Sequence, residues 1–228
     1  MPDPKTAELV ERLGAISLFH GLDAETLTLL ASDSERRTVQ PGEFIFVEGE
    51  KPRGLYVLES GWARAVKMSA QGREQVLQFV GPGEPFNTVS IFTTLPNPAS
   101  AMALEESVVW VVPLVTVERV LRERPEFSQR VLQNMAERMI YLVGLVADLS
   151  LRTVIQRLAN LLLERATGGV LARPKWFTLA ELAARLGTVP DVVQRAMGRL
   201  QSEGIIDVTR REIRVLDEAR LRQLAERA

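Results

Sequence analysis

The sequence predicts an α+β fold in three successive parts: an N-terminal antiparallel β-roll, a long central helix and a C-terminal winged helix-turn-helix. Three observations support this order. Between residues 37 and 112, short runs of valine, isoleucine and aromatic residues alternate with glycine and proline, which is typical of strands and turns. An uninterrupted helical pattern then extends from Pro125 to Leu149. The remaining residues predict a helix, a helix-turn-helix, a hairpin and a final helix.

The composition favours a globular protein without a bound cofactor. The 228 residues are enough for two compact units that share a connecting element. The sequence has no cysteine and one histidine, His20, so thiolate metal sites and cysteine-ligated iron–sulfur clusters are excluded and a multi-histidine site lacks ligands. It also offers no nucleophile–base pair and no phosphate loop. We therefore predict no enzymatic activity, no metal and no cofactor.

Neither a membrane span nor a secretory signal is visible in the sequence. No apolar run approaches the roughly 20 residues that a helix needs to cross a bilayer. The opening segment, MPDPKTAELVERLG, lacks the continuous apolar stretch of a signal peptide. We therefore expect a cytoplasmic protein without a membrane partner.

The net charge of -1 conceals an asymmetry between the two ends of the chain. Residues 1–149 carry 14 basic and 20 acidic side chains, a net charge of -6. Residues 150–228 carry 14 basic and 9 acidic side chains, a net charge of +5. A basic C-terminal unit attached to an acidic one indicates an anionic partner for the C-terminal unit alone.

The first predicted part, residues 1–124, is a β-roll preceded by two helical segments. His20 lies in the turn between these segments, where a lone histidine is usually a packing or capping residue. The predicted strands recur about every ten residues, as a compact antiparallel roll requires. A small barrel can also serve as a metal-dependent enzyme, but the histidine ligands for that alternative are missing. The predicted strands are Phe44–Val47, Gly54–Leu58, Trp62–Val66, Gln75–Val80 and Val108–Val112.

The second predicted part, residues 125–149, is a long helix with two apolar surfaces. One surface repeats at alternating spacings of 3 and 4 residues, which is the heptad pattern of a coiled coil. This seam predicts pairing with a second copy of the chain, so we expect a homodimer. The other surface, formed by Val131, Ile140 and Val143, is expected to pack on the chain's own roll. The seam, which is the predicted dimer interface, comprises Leu132, Met135, Met139, Leu142, Val146 and Leu149.

The third predicted part, residues 150–228, contains the helix-turn-helix. Thr178 followed three residues later by Glu181 is the start signal of a capped helix. Gly187 suits the tight turn between the two helices. Pro190 suits the first turn of the second helix, because its missing N–H costs nothing there. The residues of the second helix expected to face inward are Val193, Met197 and Leu200.

The outward side of this second helix carries groups that match base edges in double-stranded DNA. Arginine donates two parallel bonds to guanine, glutamine pairs with adenine and aspartate accepts from cytosine. The hairpin that follows has a basic tip suited to phosphates. A winged helix used only for protein contacts is the alternative, which the placement of the arginines disfavours. The predicted DNA-binding residues are Thr178, Thr188, Asp191, Gln194, Arg195, Arg199, Thr209, Arg210 and Arg211.

In the order of its elements, the chain resembles the CRP/FNR family of bacterial transcription regulators over nearly its whole length. The family's β-roll glycine pattern is matched by Pro41–Glu43, Glu48–Glu50 and Gly54–Gly61, and its helix-turn-helix by Thr178–Leu200. The resemblance implies a cyclic-nucleotide-binding-like jelly roll. It also implies a homodimer that regulates transcription from a near-palindromic promoter site, with RNA polymerase as a partner if the protein is an activator.

The recognition helix departs from the family's pattern at its beginning. In the family this helix commonly begins Arg-Glu-Thr-Val-x-Arg, and Pro190–Arg195 occupies those positions here. The last arginine is kept, Asp191 replaces the glutamate and Pro190 replaces the first arginine. We therefore expect a DNA site related to, but distinct from, the family's best-known half-site.

The predicted β-roll, which is the sensor in this family, departs further from the family's pattern. Cyclic-nucleotide members of the family hold the ribose with Gly-Glu and the cyclic phosphate with an Arg-Ser/Thr-Ala run. Alignment places Asn87-Thr88 and Ala99-Ser100-Ala101 at those positions. A shifted register makes Gly83-Glu84 the ribose pair, but no arginine lies between Arg73 and Arg119 in any register. A buried phosphodiester without a guanidinium would be an uncompensated charge, so we expect a regulator that does not depend on cyclic AMP.

Two modes of control stay open at this point. In the first, the protein binds DNA constitutively and its roll is only a dimer scaffold. In the second, an unidentified small molecule or haem that binds to the roll controls DNA binding. The iron–sulfur mode of the family is excluded because the chain has no cysteine. A candidate effector pocket between the roll and the long helix comprises Phe86, Asn87, Thr88, Ala99, Ser100, Tyr141 and Leu142.

Overall fold

The computed structural model describes residues 4–93 and 95–226. They pack into two compact units. The first unit comprises Met1–Lys67 and Leu77–Tyr141, and the second comprises Met68–Val76 and Leu142–Ala228. The long central helix therefore contributes residues to both units, and one short segment of the roll sequence belongs with the C-terminal unit.

The β-roll predicted from the sequence is confirmed. It consists of two four-stranded antiparallel sheets, with strand orders β1-β8-β3-β6 and β2-β7-β4-β5. All five strand regions predicted from the alternation of apolar residues and turns lie within or overlap observed strands. The strands are β1 (Glu35–Val39), β2 (Phe44–Phe46), β3 (Gly54–Ser60), β4 (Ala63–Met68), β5 (Glu74–Val80), β6 (Pro85–Phe86), β7 (Ser100–Ala103) and β8 (Ser107–Pro113).

Three aromatic rings fill the interior between the two sheets. The ring centroids of Phe46 and Tyr56 are 5.0 Å apart, and those of Tyr56 and Phe86 are 5.4 Å apart. All three side chains are buried. Aromatic contacts at such distances add to the free energy gained by burying the rings, so this cluster stabilises the centre of the roll.

A second apolar core of the first unit lies beneath helices. It joins α1 (Pro4–Ala15), α2 (Ala24–Ser32), α3 (Leu114–Glu123) and the first half of α4 (Pro125–Leu151) to residues of β3 and β8. Phe19, in the 3-10 turn between α1 and α2, stacks on Phe127 of α4 with ring centroids 5.7 Å apart. The beginning of α4 is therefore fixed to the first unit.

Glu59 links three neighbouring strands of one sheet. Its carboxylate accepts hydrogen bonds from Nε and Nη2 of Arg36, at 2.9 and 2.8 Å, and from Nε1 of Trp110 at 2.6 Å. The Arg36 hydrogen bond, together with that from Trp110, lowers the pKa of Glu59 below its ordinary value against the opposing effect of burial. These bonds connect β1, β3 and β8 through side chains as well as through the backbone.

The second unit contains the predicted winged helix-turn-helix and one strand that the sequence analysis missed. This strand, β9, pairs antiparallel with β11, so that the sheet order is β10-β11-β9. It follows Gly168 and Gly169, both at positive φ. The elements are α5 (Val154–Arg165), β9 (Val170–Ala172), α6 (Leu179–Leu186), α7 (Pro190–Ser202), β10 (Ile206–Val208), β11 (Glu212–Val215) and α8 (Glu218–Glu226).

The exposed apolar stripe of α4 differs from the predicted arrangement. The expectation that Ile140 and Val143 pack on the roll is wrong, because they are 73 % and 65 % exposed, whereas Val131 is buried as expected. Of the predicted seam, Met135 packs partly buried against the first unit's core and Leu149 is half-buried in the second unit. The remaining seam residues are exposed: Leu132, Met139, Leu142 and Val146.

The exposed apolar stripe of α4 is rotated about the helix axis relative to the predicted seam. At about 100° per residue, the exposed apolar residues centre roughly 60° away from the predicted seam, toward Val143. The cause is that the chain's own packing covers Met135 and Leu149, on one edge of the seam. The spacing of apolar residues was sufficient to identify an apolar stripe on the helix. It could not show which of these residues pack within the chain and which remain exposed for a second copy.

Candidate nucleic-acid interface

The first helix of the helix-turn-helix begins and ends with the predicted signals. The Thr178 hydroxyl accepts a hydrogen bond from the Glu181 N–H at 3.2 Å, which caps α6. Gly187 ends α6 in the left-handed conformation, with φ 63°, and its N–H donates to the Ala183 carbonyl. The Thr188 N–H donates to the same carbonyl at 3.0 Å. These bonds fix the tight turn before the second helix.

Side chains of three other segments surround the turn. A Cβ atom on Gly187 would lie 2.5 Å from Cδ2 of Leu149, 2.8 Å from Oε1 of Gln75 and 3.2 Å from a terminal nitrogen of Arg157. The Gln75 amide also donates to the Arg185 carbonyl at 3.3 Å. Burial lowers the pKa of the Arg157 guanidinium. Glycine is therefore required at position 187 by both backbone conformation and space.

The second helix, α7, separates an apolar side from a polar one as predicted. Pro190 occupies its first turn. The inward side consists of buried Val193, Met197 and Leu200, together with Ala196. The outward residues are all exposed: Asp191, Gln194, Arg195, Gly198 and Arg199.

The two arginines on the exposed side of α7 differ in their partners. Among the residues described, no ion pair or side-chain hydrogen bond involves Arg195. Arg199 lies one turn further along and donates through Nε to Glu203 Oε1 at 2.8 Å. Glu203 also pairs with Arg220 at 3.4 Å. Arg195 is thus available to a base without breaking a contact, whereas Arg199 must first leave a carboxylate.

The wing between β10 and β11 presents two arginines on a turn that is stabilised by hydrogen bonds of Thr209. The Thr209 hydroxyl accepts hydrogen bonds from the N–H groups of Arg211 and Glu212, at 3.2 and 3.1 Å, and donates to the Glu212 carbonyl. Thr209 was predicted to contact DNA, but its hydroxyl bonds within the turn. Arg210 and Arg211 are exposed, so the basic tip is presented to solvent as expected.

Arg173 supports the wing and was missed by the sequence analysis. Its guanidinium donates to the Thr209 carbonyl at 2.9 Å, and its backbone N–H donates to the Arg211 carbonyl at 2.7 Å. The residue directly follows β9. The signal that could have identified it is the Val170-Leu171-Ala172 run after two glycines, which is a short strand flanked by a turn.

Within the second unit, the predicted DNA-binding residues occupy three places. Thr188, Asp191, Gln194 and Arg195 lie at the turn and the first half of α7, and Arg199 follows in its second half. Thr178 lies apart from them in sequence, at the start of α6. Arg210 and Arg211 form the tip of the wing.

The predicted effector residues of the roll are engaged in internal contacts. Phe86 belongs to the aromatic cluster between the sheets. Asn87, at φ 63°, donates to the Asn97 side-chain oxygen at 3.2 Å. The Ser100 hydroxyl accepts from the Glu48 N–H at 2.9 Å. The polar groups proposed for a ligand therefore help to hold the loops of the roll.

The other predicted effector residues lie in both units. Thr88 begins a 3-10 turn and Ala99 is buried. Tyr141 lies under the guanidinium of Arg138, whose Cζ is 4.7 Å from the ring centroid. Leu142 belongs to the second unit and is partly exposed. His20, the one histidine considered for haem, is exposed in the turn after Phe19.

Across residues 4–93 and 95–226, no group of three or more histidine, cysteine, aspartate or glutamate side chains is arranged to hold a metal ion. No helix in the same ranges combines the length and apolarity needed to cross a membrane.

Comparison with known proteins agrees with this architecture in both units. The family model described as cyclic nucleotide-binding domain matches residues 36–124, and the Crp-like helix-turn-helix domain model matches residues 156–224. The structure of FixK2 from Bradyrhizobium japonicum is similar with a TM-score of 0.76 at 22% identity, covering 86% of this chain and 98% of that one. At that identity the likeness establishes the fold.

Two curated relatives match over almost their whole length. The CRP-like cAMP-activated global transcriptional regulator of Mycobacterium tuberculosis is 28% identical over 226 residues, covering 94% of this chain and 99% of that protein. The cyclic AMP receptor protein of Thermus thermophilus is 29% identical over 208 residues, covering 91% and 96%. The chain belongs to the CRP/FNR family of DNA-binding transcription regulators.

Proposed function

We propose that this regulator binds a near-palindromic promoter site as a homodimer and controls transcription without requiring cyclic AMP. The observation that carries the proposal is the exposed row on α7, in which Asp191, Gln194 and Arg195 project from a helix whose other side is buried. In helix-turn-helix proteins the N-terminal residues of the second helix contact base edges in the major groove.

The row supplies the donors and acceptors that base recognition requires. Arg195 has two parallel N–H donors for guanine O6 and N7, Gln194 can pair with adenine, and Asp191 can accept from the amino group of cytosine. Each good pair discriminates between bases by about 1–3 kcal/mol. Arg210 and Arg211 on the wing supply phosphate contacts, which position the protein and make binding sensitive to salt.

The exposed stripe of α4 supplies the dimer contact in this proposal. Its centre is formed by Leu132, Met139, Val143 and Val146, at spacings compatible with a coiled coil. Fully burying a valine, leucine or methionine side chain gains about 1.5–3 kcal/mol. A pair of such stripes is therefore sufficient to offset part of the entropy lost on association. Two recognition helices held one helical turn apart then match a two-fold-symmetric site.

In this proposal the chain differs from the two curated relatives named above because it does not require a cyclic nucleotide. One of the two curated relatives is named as cAMP-activated and the other as a cyclic AMP receptor. In this chain no arginine lies between Arg73 and Arg119, and Phe86, Asn87 and Ser100 make internal contacts. A cyclic phosphate buried without a guanidinium would cost several kcal/mol.

The test is selection of bound sequences from random duplex DNA by the purified full chain without added ligand. The proposal predicts enrichment of a two-fold-symmetric site. The same selection with Arg195→Ala is expected to relax one base pair in each half-site and leave the others unchanged. Failure to enrich any site in the absence of ligand would contradict constitutive binding and favour a gated regulator, for which the protein's thermal stability with candidate ligands is the next measurement.

A further inference from the structure

An exposed valine begins the recognition helix. Val189 is the N-cap residue of α7 and is 54 % exposed. The first backbone bonds of the helix run from the N–H groups of Val192 and Val193 to the Val189 carbonyl, at 3.1 and 3.3 Å. The Val189 side chain therefore takes no part in starting the helix.

Valine is an unfavourable choice for this position on local grounds. Serine, threonine, aspartate and asparagine are preferred at the N-cap because their side chains accept a hydrogen bond from the first turn. Two other helices follow this rule, since Asp23 caps α2 and Thr178 caps α6 with bonds of 2.7 and 3.2 Å, whereas α3 begins after Pro113 without a side-chain cap. On α7 the chain presents two methyl groups to solvent instead, so local helix stability does not explain the residue.

We propose that Val189 recognises a thymine, through contact between its methyl groups and the thymine C5-methyl in the major groove. This assignment rests on the proposed function, in which the beginning of α7 enters the groove. The C5-methyl is the apolar feature by which thymine differs from the other bases there. The Val189 side chain has no donor for a phosphate, and its neighbour Pro190 is exposed and has no backbone N–H. An apolar contact is therefore the interaction that the Val189 side chain can make.

The experiment compares thymine with deoxyuridine, which lacks only the methyl group, in the site enriched by the full chain. Each thymine is replaced symmetrically in both half-sites, and the dissociation constant is measured for the wild type, Val189→Ser and Val115→Ser. Serine restores an N-cap side chain, so Val189→Ser should unfold at the same or a higher temperature. Val115, on α3 of the first unit, is a control valine that is 69 % exposed.

The expected result is one symmetric thymine whose replacement weakens wild-type binding about tenfold, as the loss of two buried methyl contacts implies. Val189→Ser should bind the thymine site more weakly and lose this sensitivity, and Val115→Ser should behave as the wild type. Equal thymine-to-deoxyuridine ratios for the wild type and Val189→Ser at every position would overturn the assignment and leave the proposed function standing. Failure to enrich any site would overturn both.

Discussion

The roll and the C-terminal unit use their polar side chains in opposite ways. On α7, Asp191, Gln194 and Arg195 are exposed on a helix that is anchored by its other side. In the roll, Asn87 bonds to Asn97 and Ser100 bonds to the Glu48 backbone. Polar groups that already bond within the protein must lose those bonds to bind a ligand, whereas exposed groups exchange only water. We therefore assign recognition to the C-terminal unit and scaffolding to the roll.

The largest effect is expected from a substitution in α4, the helix between these two regions. Val143→Asp places a charge at the centre of the exposed stripe of α4, where pairing would bury it without a partner at a cost of several kcal/mol. We expect the dimer to dissociate, as measured by analytical ultracentrifugation, and the affinity for a symmetric site to fall by at least about 100-fold. Val115→Asp, at an exposed valine of α3, is the matched control. A dimer that survives Val143→Asp would place the interface elsewhere.

Arg195→Ala tests the recognition row directly. Loss of a bidentate contact to guanine removes about 1–3 kcal/mol of discrimination in each half-site. The expected result is a loss of preference at one symmetric base pair, measured by competition with duplexes that carry each alternative pair. The far-ultraviolet circular dichroism spectrum and thermal stability should be unchanged, because Arg195 is exposed. Uniform weakening on all duplexes would instead indicate a phosphate contact.

Glu59→Gln tests the structural use of polar groups in the roll. The Glu59 carboxylate holds Arg36 and Trp110 and is largely buried, so the substitution should lower the free energy of unfolding by about 1–3 kcal/mol. Because folding lowers the pKa of Glu59, its contribution is present above the unfolded-state pKa of about 4.3 and is lost as the pH falls through the folded-state value.

The difference in unfolding free energy between wild type and Glu59→Gln should therefore shrink below about pH 4.3. Chemical denaturation at several pH values measures it. A difference that stays constant down to about pH 2 would contradict the proposed role of the ionised carboxylate.

A substitution in the wing should have the smallest effect. Arg211→Ala removes one phosphate contact from each protomer in our account, which lowers the slope of log affinity against log salt concentration by about 2 for a dimer. Base preference should not change. Arg222→Ala, at an exposed arginine of α8 that pairs with Glu218, provides a control. An altered preference with an unaltered slope would assign Arg211 to a base.

Several parts of this account were accessible from sequence because local chemistry determines them. The capped start at Thr178, the glycine turn at Gly187 and the proline at Pro190 are signals that depend on a few neighbouring residues, and all three are confirmed. The inward positions of α7 follow from helical periodicity. These signals were sufficient to predict the helix-turn-helix and its exposed row.

Other parts depend on contacts distant in sequence. Spacing could not show that Met135 and Leu149 are covered by the chain itself, leaving Ile140 and Val143 exposed. The three-residue strand β9 forms through pairing with β11, and such a short segment carries little signal of its own. The internal bond of Thr209 likewise depends on the geometry of the hairpin turn.

We propose that this chain retains DNA recognition and has lost cyclic-nucleotide sensing. The most direct test is the affinity of the purified full chain for its enriched site, measured with and without a saturating concentration of cyclic AMP. We expect the same dissociation constant in both conditions, because the chain has no arginine between Arg73 and Arg119 to neutralise the cyclic phosphate. An increase in affinity of tenfold or more with cyclic AMP, about 1.4 kcal/mol of coupling, would contradict it.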